Sequence, residues 1–467
     1  MQKVNFDQYQ SPFSWRYGSR EMRFIWGESY KRQLWRRIWY ALAKVQSAYG
    51  LVNSEQLADI ESHLEDVNID RALEIETQIH HDLMAELKTF AEQCKIGGGV
   101  LHLGATSMDV EDNADVIRQS NAMDIIIEKL SRLLLILCEK IEGWAEIPVM
   151  AFTHLQPAEP TTLGYRFSFY AQDLLEDWLS LREIRSSLKG KGFKGAVGTA
   201  ASYADLIGKE NLDRFEEQLS HELGIPFFAI TTQTYPRKQD YRVLSALASL
   251  GLSLYKLAFD IRLLQSPPFG EWAEPFGDKQ VGSSAMPFKR NPILSEKLDS
   301  LARMLAGMPE VAWQNAAHSL LERTLDDSAN RRSLLPEAFL ITDEILTTAN
   351  KVISGLRINE YTIRRNLDIY APFACTERLL MALGKAGADR QEMHERLRKH
   401  SLEVWEEIRS GKPNRLAERL RDDEYIGSFL SPNQIDTLFS ADDYTGIAVQ
   451  ASRELVRMIR NCLNGYS

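Results

Sequence analysis

An all-α fold is what this sequence predicts, on three observations. Long stretches lack proline and nearly lack glycine, apolar residues within them recur at steps of three and four, and strand-like alternation is weak throughout. Apolar side chains at that spacing share one face of a 3.6-residue helix.

Taken in order, the chain up to about Met108 mixes short helices with loops such as Gly97-Gly98-Gly99. A long helix is expected over about 113–144, with no proline and one glycine, Gly143. Leu130, Leu134, Leu137, Ile141 and Trp144 mark its stripe. A second is expected to start at Pro160, a residue suited to a first helical turn, and to run to about Lys189. A third covers about 239–265, where Leu247, Leu250, Leu254, Leu257, Ile261 and Leu264 repeat the pattern. The first and third would each span roughly 40–50 Å at ~1.5 Å per residue. Two further helices are expected over 294–305 and 337–355. The stripes are wide, with Ala, Leu and Ile on more than one side. That implies burial on several faces, hence a bundle core shared between subunits, with a monomeric bundle as the alternative. Three parts follow: 1–108, a long-helix region over 109–357, and a charged, shorter-helix remainder over 358–467, as in 415–423.

Bulk numbers agree with a globular enzyme-sized chain. Its 467 residues are 44% hydrophobic and 26% charged, enough for a large core. The formal charge of −10, from 65 acidic and 55 basic residues, argues against a general nucleic-acid binder but allows a local basic pocket. Cys94, Cys138, Cys375 and Cys462 lie far apart, giving neither a disulfide framework nor a metal-ligand set, and a reducing cytoplasm fits. The opening Met1-Gln2-Lys3-Val4-Asn5-Phe6 lacks the apolar core of a signal peptide. The longest purely apolar run, Leu133 to Cys138, falls far short of the ~18–20 residues of a membrane span.

One loop carries more chemistry than any other stretch. Gly282-Ser283-Ser284-Ala285-Met286-Pro287-Phe288-Lys289-Arg290-Asn291-Pro292, continuing to Ser295-Glu296, packs hydroxyls, a cation, an amide and a carboxylate together. Such a loop presents donors and positive charge to a small anion. Elsewhere the residues alone leave alternatives open. Gly190-Lys191-Gly192-Phe193-Lys194-Gly195 fits G-x-G-x-x-G, but it follows a predicted helix where a dinucleotide fingerprint must follow a strand. A flexible loop, with Gly198-Thr199 near a ligand, is the preferred reading. His394 and His400 read as surface residues of a charged helix, and His63, His221 and His318 carry no motif. His80-His81-Asp82 is either helix-terminal or a pair that hydrogen-bonds a ribose or base. Thr153-His154, between Pro148 and Pro160, either enters a helix or supplies a catalytic imidazole. Thr106-Ser107 is an N-cap, an anion contact, or both. The run from Glu322 to Arg332 is either a solvated salt-bridge face or an anion clamp.

The order G-S-S-x-M-P-x-K-x-N-x-x-x-S-E closely resembles the signature of the fumarase/aspartase superfamily. The Thr106-Ser107, Thr153-His154 and Gln233-Thr234-Tyr235-Pro236-Arg237 blocks resemble other superfamily elements. E-R-T-L-D-D-S-A-N-R-R, from Glu322 to Arg332, and Trp15-Arg16-Tyr17-Gly18-Ser19 resemble the adenylosuccinate lyase branch in particular, and the likeness extends from about Ser11 into the C-terminal region. What the resemblance implies is a three-domain all-α lyase whose central long-helix bundle assembles into a tetrameric multi-helix core, with active sites shared between subunits. It implies a small-molecule nucleotide substrate, release of fumarate, no metal and no organic cofactor. Neither nucleic acid nor membrane is expected as a partner.

The resemblance also assigns roles. Ser283 would be the base, His154 the general acid, Glu296 the carboxylate that orients His154, and Lys289 the cation that stabilises the serine alkoxide and the aci-carboxylate. Thr106, Ser107, Gln233, Lys289 and Asn291 would hold the succinyl carboxylates. Arg16, Tyr17, Arg323, Ser328 and Arg332 would hold a phosphate, and His81 and Asp82 would meet the nucleotide. Thr153 and Leu325, inside the matching blocks, would also line the substrate. Lys297 stands where the branch usually has arginine, keeping the charge but losing the bidentate fork. Argininosuccinate lyase and other superfamily lyases share the Ser283 loop without needing a phosphate clamp. A non-catalytic helical scaffold would have little reason to keep His154, Ser283, Lys289 and Glu296 together.

Overall fold

The computed structural model describes residues 7–465; the opening hexapeptide lies outside them. Helices dominate, and the long ones coincide with the apolar stripes: Ser107–Gly143, Leu163–Ser187, Lys238–Gln265, Ile293–Ala306 and Asp326–Ser354. The stripe residues Leu130, Leu134, Leu137, Ile141, Leu247, Leu250 and Leu254 are fully buried, at about 25 cal/mol of stabilisation per Å² removed from water. Lys238–Gln265 is long and apolar enough, by length and composition, to cross a membrane. Its stripe is instead packed inside the protein, as in a core helix.

Two compact units emerge. The first is built from residues up to Leu130 with Asp177–Leu254 and Ser300–Thr347; the second from Ser131–Glu176, Tyr255–Asp299 and the chain from Thr348 onward. The first unit has an aromatic core, with Trp35, Trp39, Phe90, Phe193, Tyr203 and Phe215 in one buried cluster. Buried Arg32 and Arg36 enter it only because Glu86 accepts from both, at 3.0 and 2.7 Å. In the second unit, Leu379, Leu383, Met393, Leu397, Val404, Leu416 and Ile435 form the core of the C-terminal helices. The helices there include Glu360–Lys385 and Arg390–Arg409. His400, expected on the surface, is half-buried there and pairs with Asp423 at 2.9 Å.

Three helix starts depart from expectation: the helix expected from about residue 113 begins at Ser107, and the other two departures are at prolines. Leu163–Ser187 does not begin at Pro160, because residues 156–162 are extended. Asp326–Ser354 starts well before residue 337 and runs through Pro336, although proline inside a helix usually breaks it. That early start places Ser328, Arg331 and Arg332 on the helix instead of on a loop before it.

Candidate active site

The arginine-rich segment builds a cavity within the first unit. Asp326 and Asp327 sit in the first turn of the Asp326–Ser354 helix, where carboxylates are favoured by the helix dipole. Arg323, Ser328, Arg331 and Arg332 line a cavity of about 140 Å³ together with Lys31, Arg118 and Arg237. Asp327 organises two of these cations. Its Oδ1 accepts from Arg323 Nη1 and its Oδ2 from Arg237 Nε, each at 2.7 Å. Burial pushes the Asp327 carboxyl up, but Arg237, Arg323 and Arg331 outweigh that and hold it below the usual carboxylate range. Arg237 also donates to Asp112 at 2.9 Å. Arg331 donates to Asp240 at 2.9 Å and to the Tyr235 hydroxyl at 2.8 Å. The guanidiniums are therefore held in place before a ligand arrives.

The other expected nucleotide contacts divide. Asp82 accepts from Arg332 at 2.7 Å, which brings it to the cavity. Arg16 and Tyr17 are not among the lining residues; Arg16 is exposed and rests 5.7 Å from the Trp15 ring and 6.0 Å from that of Tyr17. Leu325 is exposed. Gln233 donates its N–H to the Glu322 carbonyl at 3.2 Å, tying its block to the arginine segment.

At the start of the Ser107–Gly143 helix, the helix-terminal and ligand readings coexist. Asp109 accepts from the Thr106 N–H at 3.0 Å, the carboxylate half of a capping box. His81 caps the Asp82–Gln93 helix, its Nδ1 accepting from Met84 N–H at 3.5 Å, while its Nε2 lies 3.3 Å from Ser107 Oγ. Accepting at Nδ1 leaves the proton on Nε2, so His81 donates to Ser107. The G-x-G-x-x-G segment is not a flexible loop. It is buried and wraps Asp109, which pairs with Lys191 Nζ and accepts from the N–H groups of Lys194 and Gly195, each at 3.2 Å. Gly195, with φ +70°, supplies a turn that an L side chain rarely adopts. Both lysines of the segment have partners: Asp109 for Lys191 and Glu216 for Lys194.

The remaining candidates lie in the second unit. His154 sits at the tip of a β-hairpin, not in a helix-entry loop. Strand Pro148–Thr153 pairs antiparallel with Gln156–Thr162, with Thr153 opposite Gln156 and Met150 opposite Pro160. A two-stranded ribbon has only edges, so its prolines leave no ladder bond unmade inside a sheet. His154 and Leu155 form the turn at φ +53° and +59°, a primed-turn shape that glycine and asparagine normally take. His154 and Thr153 are exposed.

Around Ser283 the loop folds onto the serine oxygen. The N–H groups of Ala285 and Met286 donate to Ser283 Oγ at 3.3 and 3.1 Å. Donors aimed at an oxygen favour its negatively charged form. Asn291 donates to the Gly282 carbonyl at 3.0 Å, closing the loop. A Cβ on Gly282 would stand 2.1 Å from the Lys289 carbonyl, so the close approach requires glycine. Lys289 is exposed on the loop, and Glu296 is exposed in the first turn of Ile293–Ala306.

Two residues that sequence reading missed hold this loop's ends. Buried Glu274 accepts from the N–H groups of Leu294 and Ser295, at 3.1 and 3.0 Å, capping the helix that carries Glu296. Gln265 accepts from Glu274 N–H at 2.9 Å and donates to the Arg290 carbonyl at 3.0 Å. Among the described residues, no hydrogen bond or ion pair joins His154 to Ser283, Lys289 or Glu296. No group of three His, Cys, Asp or Glu side chains among them is poised to hold a metal.

Family and fold are those of a lyase. A family model described as Lyase matches residues 6–307, and solved enzymes share the architecture. A fumarate lyase from Mesorhizobium sp. BNC1 superposes with a TM-score of 0.84 at 23% identity, covering 96% of this chain and 99% of that one. A 3-carboxy-cis,cis-muconate lactonizing enzyme from Pseudomonas putida gives 0.86 at 23%, covering 97% and 99%. Likeness at that identity speaks to fold alone.

Within that class, the chain belongs to the adenylosuccinate lyase family. A model described as Adenylosuccinate lyase C-terminus matches residues 372–455. The adenylosuccinate lyase of Schistosoma mansoni is 41% identical over 440 residues, 92% of this chain and 91% of that one. That of Saccharomyces cerevisiae is 37% identical over 471 residues, 99% and 97%. That of Archaeoglobus fulgidus is 33% identical over 452 residues, 97% and 99%.

Proposed function

We propose that this family member eliminates fumarate from adenylosuccinate, leaving AMP, and from the succinyl-carboxamide ribotide SAICAR, leaving AICAR. Ser283 takes the proton from the succinyl carbon next to the C–N bond. The electron pair passes through an aci-carboxylate and expels the nitrogen, which His154 protonates. The observation that carries this reading is the pair of amides on Ser283 Oγ. A serine hydroxyl is a poor base in water, and these donors, with Lys289, stabilise its alkoxide. Glu296 orients His154, Thr106, Ser107, Thr153, Gln233 and Asn291 hold the succinyl end, and His81 and Asp82 meet the nucleotide. Arg323, Ser328 and Arg332, with Arg16, Tyr17 and Leu325 completing the pocket, take the phosphate end.

The enzyme works as a cytoplasmic homotetramer with sites shared between copies, each chain divided near residues 108 and 357. Two observations support the sharing. Apolar side chains stand exposed on the long helices, Phe169, Leu252 and Phe259 among them. The arginine cavity of about 140 Å³ is smaller than the ~300–1,000 Å³ of a complete small-molecule site. The test is to mix purified protein with adenylosuccinate, follow the ultraviolet shift toward AMP and quantify fumarate separately. AMP and fumarate should appear in equal amounts; an unchanged spectrum with no fumarate would overturn the reading.

A further inference from the structure

Five carboxylates line the arginine cavity, and four of them are matched. Glu28 pairs with Lys31 at 2.7 Å, Asp82 with Arg332 at 2.7 Å, Asp112 with Arg237 at 2.9 Å, and Asp115 with Arg331 at 3.2 Å. Glu111 is the fifth, and among the described residues it has neither an ion pair nor a hydrogen bond. It stands on the second turn of the Ser107–Gly143 helix, half-buried, one helical turn from Ser107 and from Asp115. A carboxylate in that position opposes any anion that the surrounding cations attract.

We propose that Glu111 is the proton-bearing member of the anion cavity: it must be neutral for a nucleotide phosphate to bind, so wherever it starts charged, binding takes up a proton. This rests on the phosphate assignment made above. Where Glu111 starts as COO⁻, it gains one proton from solvent as the phosphate enters and returns it as the phosphate leaves, with no other bond changed. Neutral, the carboxylic acid has an O–H to donate to a phosphate or ribose oxygen. Charged, it repels a dianion at close range.

The groups facing Glu111 make the neutral form accessible near physiological pH. Burial is the largest influence. Asp82 from the Asp82–Gln93 helix and Asp115 and Asp112 from its own helix push the same way, and Arg332 from the Asp326–Ser354 helix opposes them. Glu28 and Lys31 line the same cavity but neutralise each other, and Arg118 and Arg331 are engaged by Asp115. The outcome is a carboxyl raised to about 8. It is neutral below that pH and charged above it, so anion affinity falls as pH rises through it.

The experiment measures AMP affinity by calorimetry between about pH 7 and 9, where the AMP phosphate, with its second pKa near ~6, stays dianionic. Wild-type affinity should fall by about tenfold, as the neutral fraction of a carboxyl at about 8 does over that range. Glu111→Gln should hold a flat profile near the wild-type affinity at the acid end. At the alkaline end of that range, titrations in buffers of different ionisation heat should show proton uptake in the wild type and none in the variant. Arg323→Ala separates the two claims. If it weakens AMP binding while E111Q leaves the pH profile and proton uptake unchanged, Glu111 has no such role. If AMP fails to bind, or binds equally well to R323A, the phosphate reading fails and this inference with it.

Discussion

Two amide N–H groups converging on Ser283 Oγ turn an ordinary hydroxyl into an oxygen prepared for negative charge. Ser283→Ala removes that oxygen and no buried contact, so turnover should fall by about 10²–10⁴-fold, the usual contribution of a general base, with an unchanged melting temperature. Near-normal turnover would remove Ser283 from the chemistry. Asp327 makes a different prediction. Its carboxylate stability is present above the ordinary Asp value and is lost as pH falls through the depressed folded value. Asp327→Asn should therefore flatten the acid side of the stability profile. It should also raise KM for the substrate about tenfold, as charged hydrogen bonds to Arg323 and Arg237 weaken, with kcat less affected. A kcat loss at constant KM would place Asp327 elsewhere in the mechanism. In the sequence, the density of arginines drew notice to the run from Glu322 to Arg332, and the family resemblance singled out Arg323, Ser328 and Arg332 within it. The sequence hid Asp112 and Glu274, because their partners are distant in the chain: Asp112 meets Arg237, and Glu274 meets Ser295.

Elements that carry their pattern within themselves were legible. The stripes of Ser107–Gly143 and Lys238–Gln265 declare a helix locally, and both ends of the second came within a residue of expectation. The His154 hairpin was not legible, since Pro148, Pro157 and Pro160 suggest a loop and its turn lacks the usual Asn-Gly pair. Pro336 likewise concealed the early turns of Asp326–Ser354. That hairpin holds Leu155, exposed, at φ +59°. A left-handed L residue costs roughly 1–2 kcal/mol, so Leu155→Gly should stabilise the protein by about 1 kcal/mol in urea unfolding and keep its turnover. Destabilisation would mean that Leu155 is held by contacts beyond this chain. In the signature loop the sign reverses. Gly282→Ala brings a Cβ against the Lys289 carbonyl, so the loop must open and activity should fall at little cost to global stability.

At the scale of the whole molecule, the chemistry is divided between units that are each well packed. The phosphate-binding candidates Arg323, Ser328 and Arg332 lie in the first, and His154, Ser283, Lys289 and Glu296 in the second. No bond within one chain joins His154 to Ser283 among the described residues. Apolar side chains such as Phe169, Leu252 and Phe259 stand uncovered on the long helices, as they would if those helices met other copies. We propose that Ser283 of one copy works with His154 of another. The most direct measurement is therefore to co-express His154→Ala with Ser283→Ala and assay fumarate release from adenylosuccinate. Each variant alone should be folded and nearly inactive, and the mixed assembly should regain activity through sites that combine an intact serine with an intact histidine. A mixed assembly that forms and stays as inactive as its parents would contradict the account.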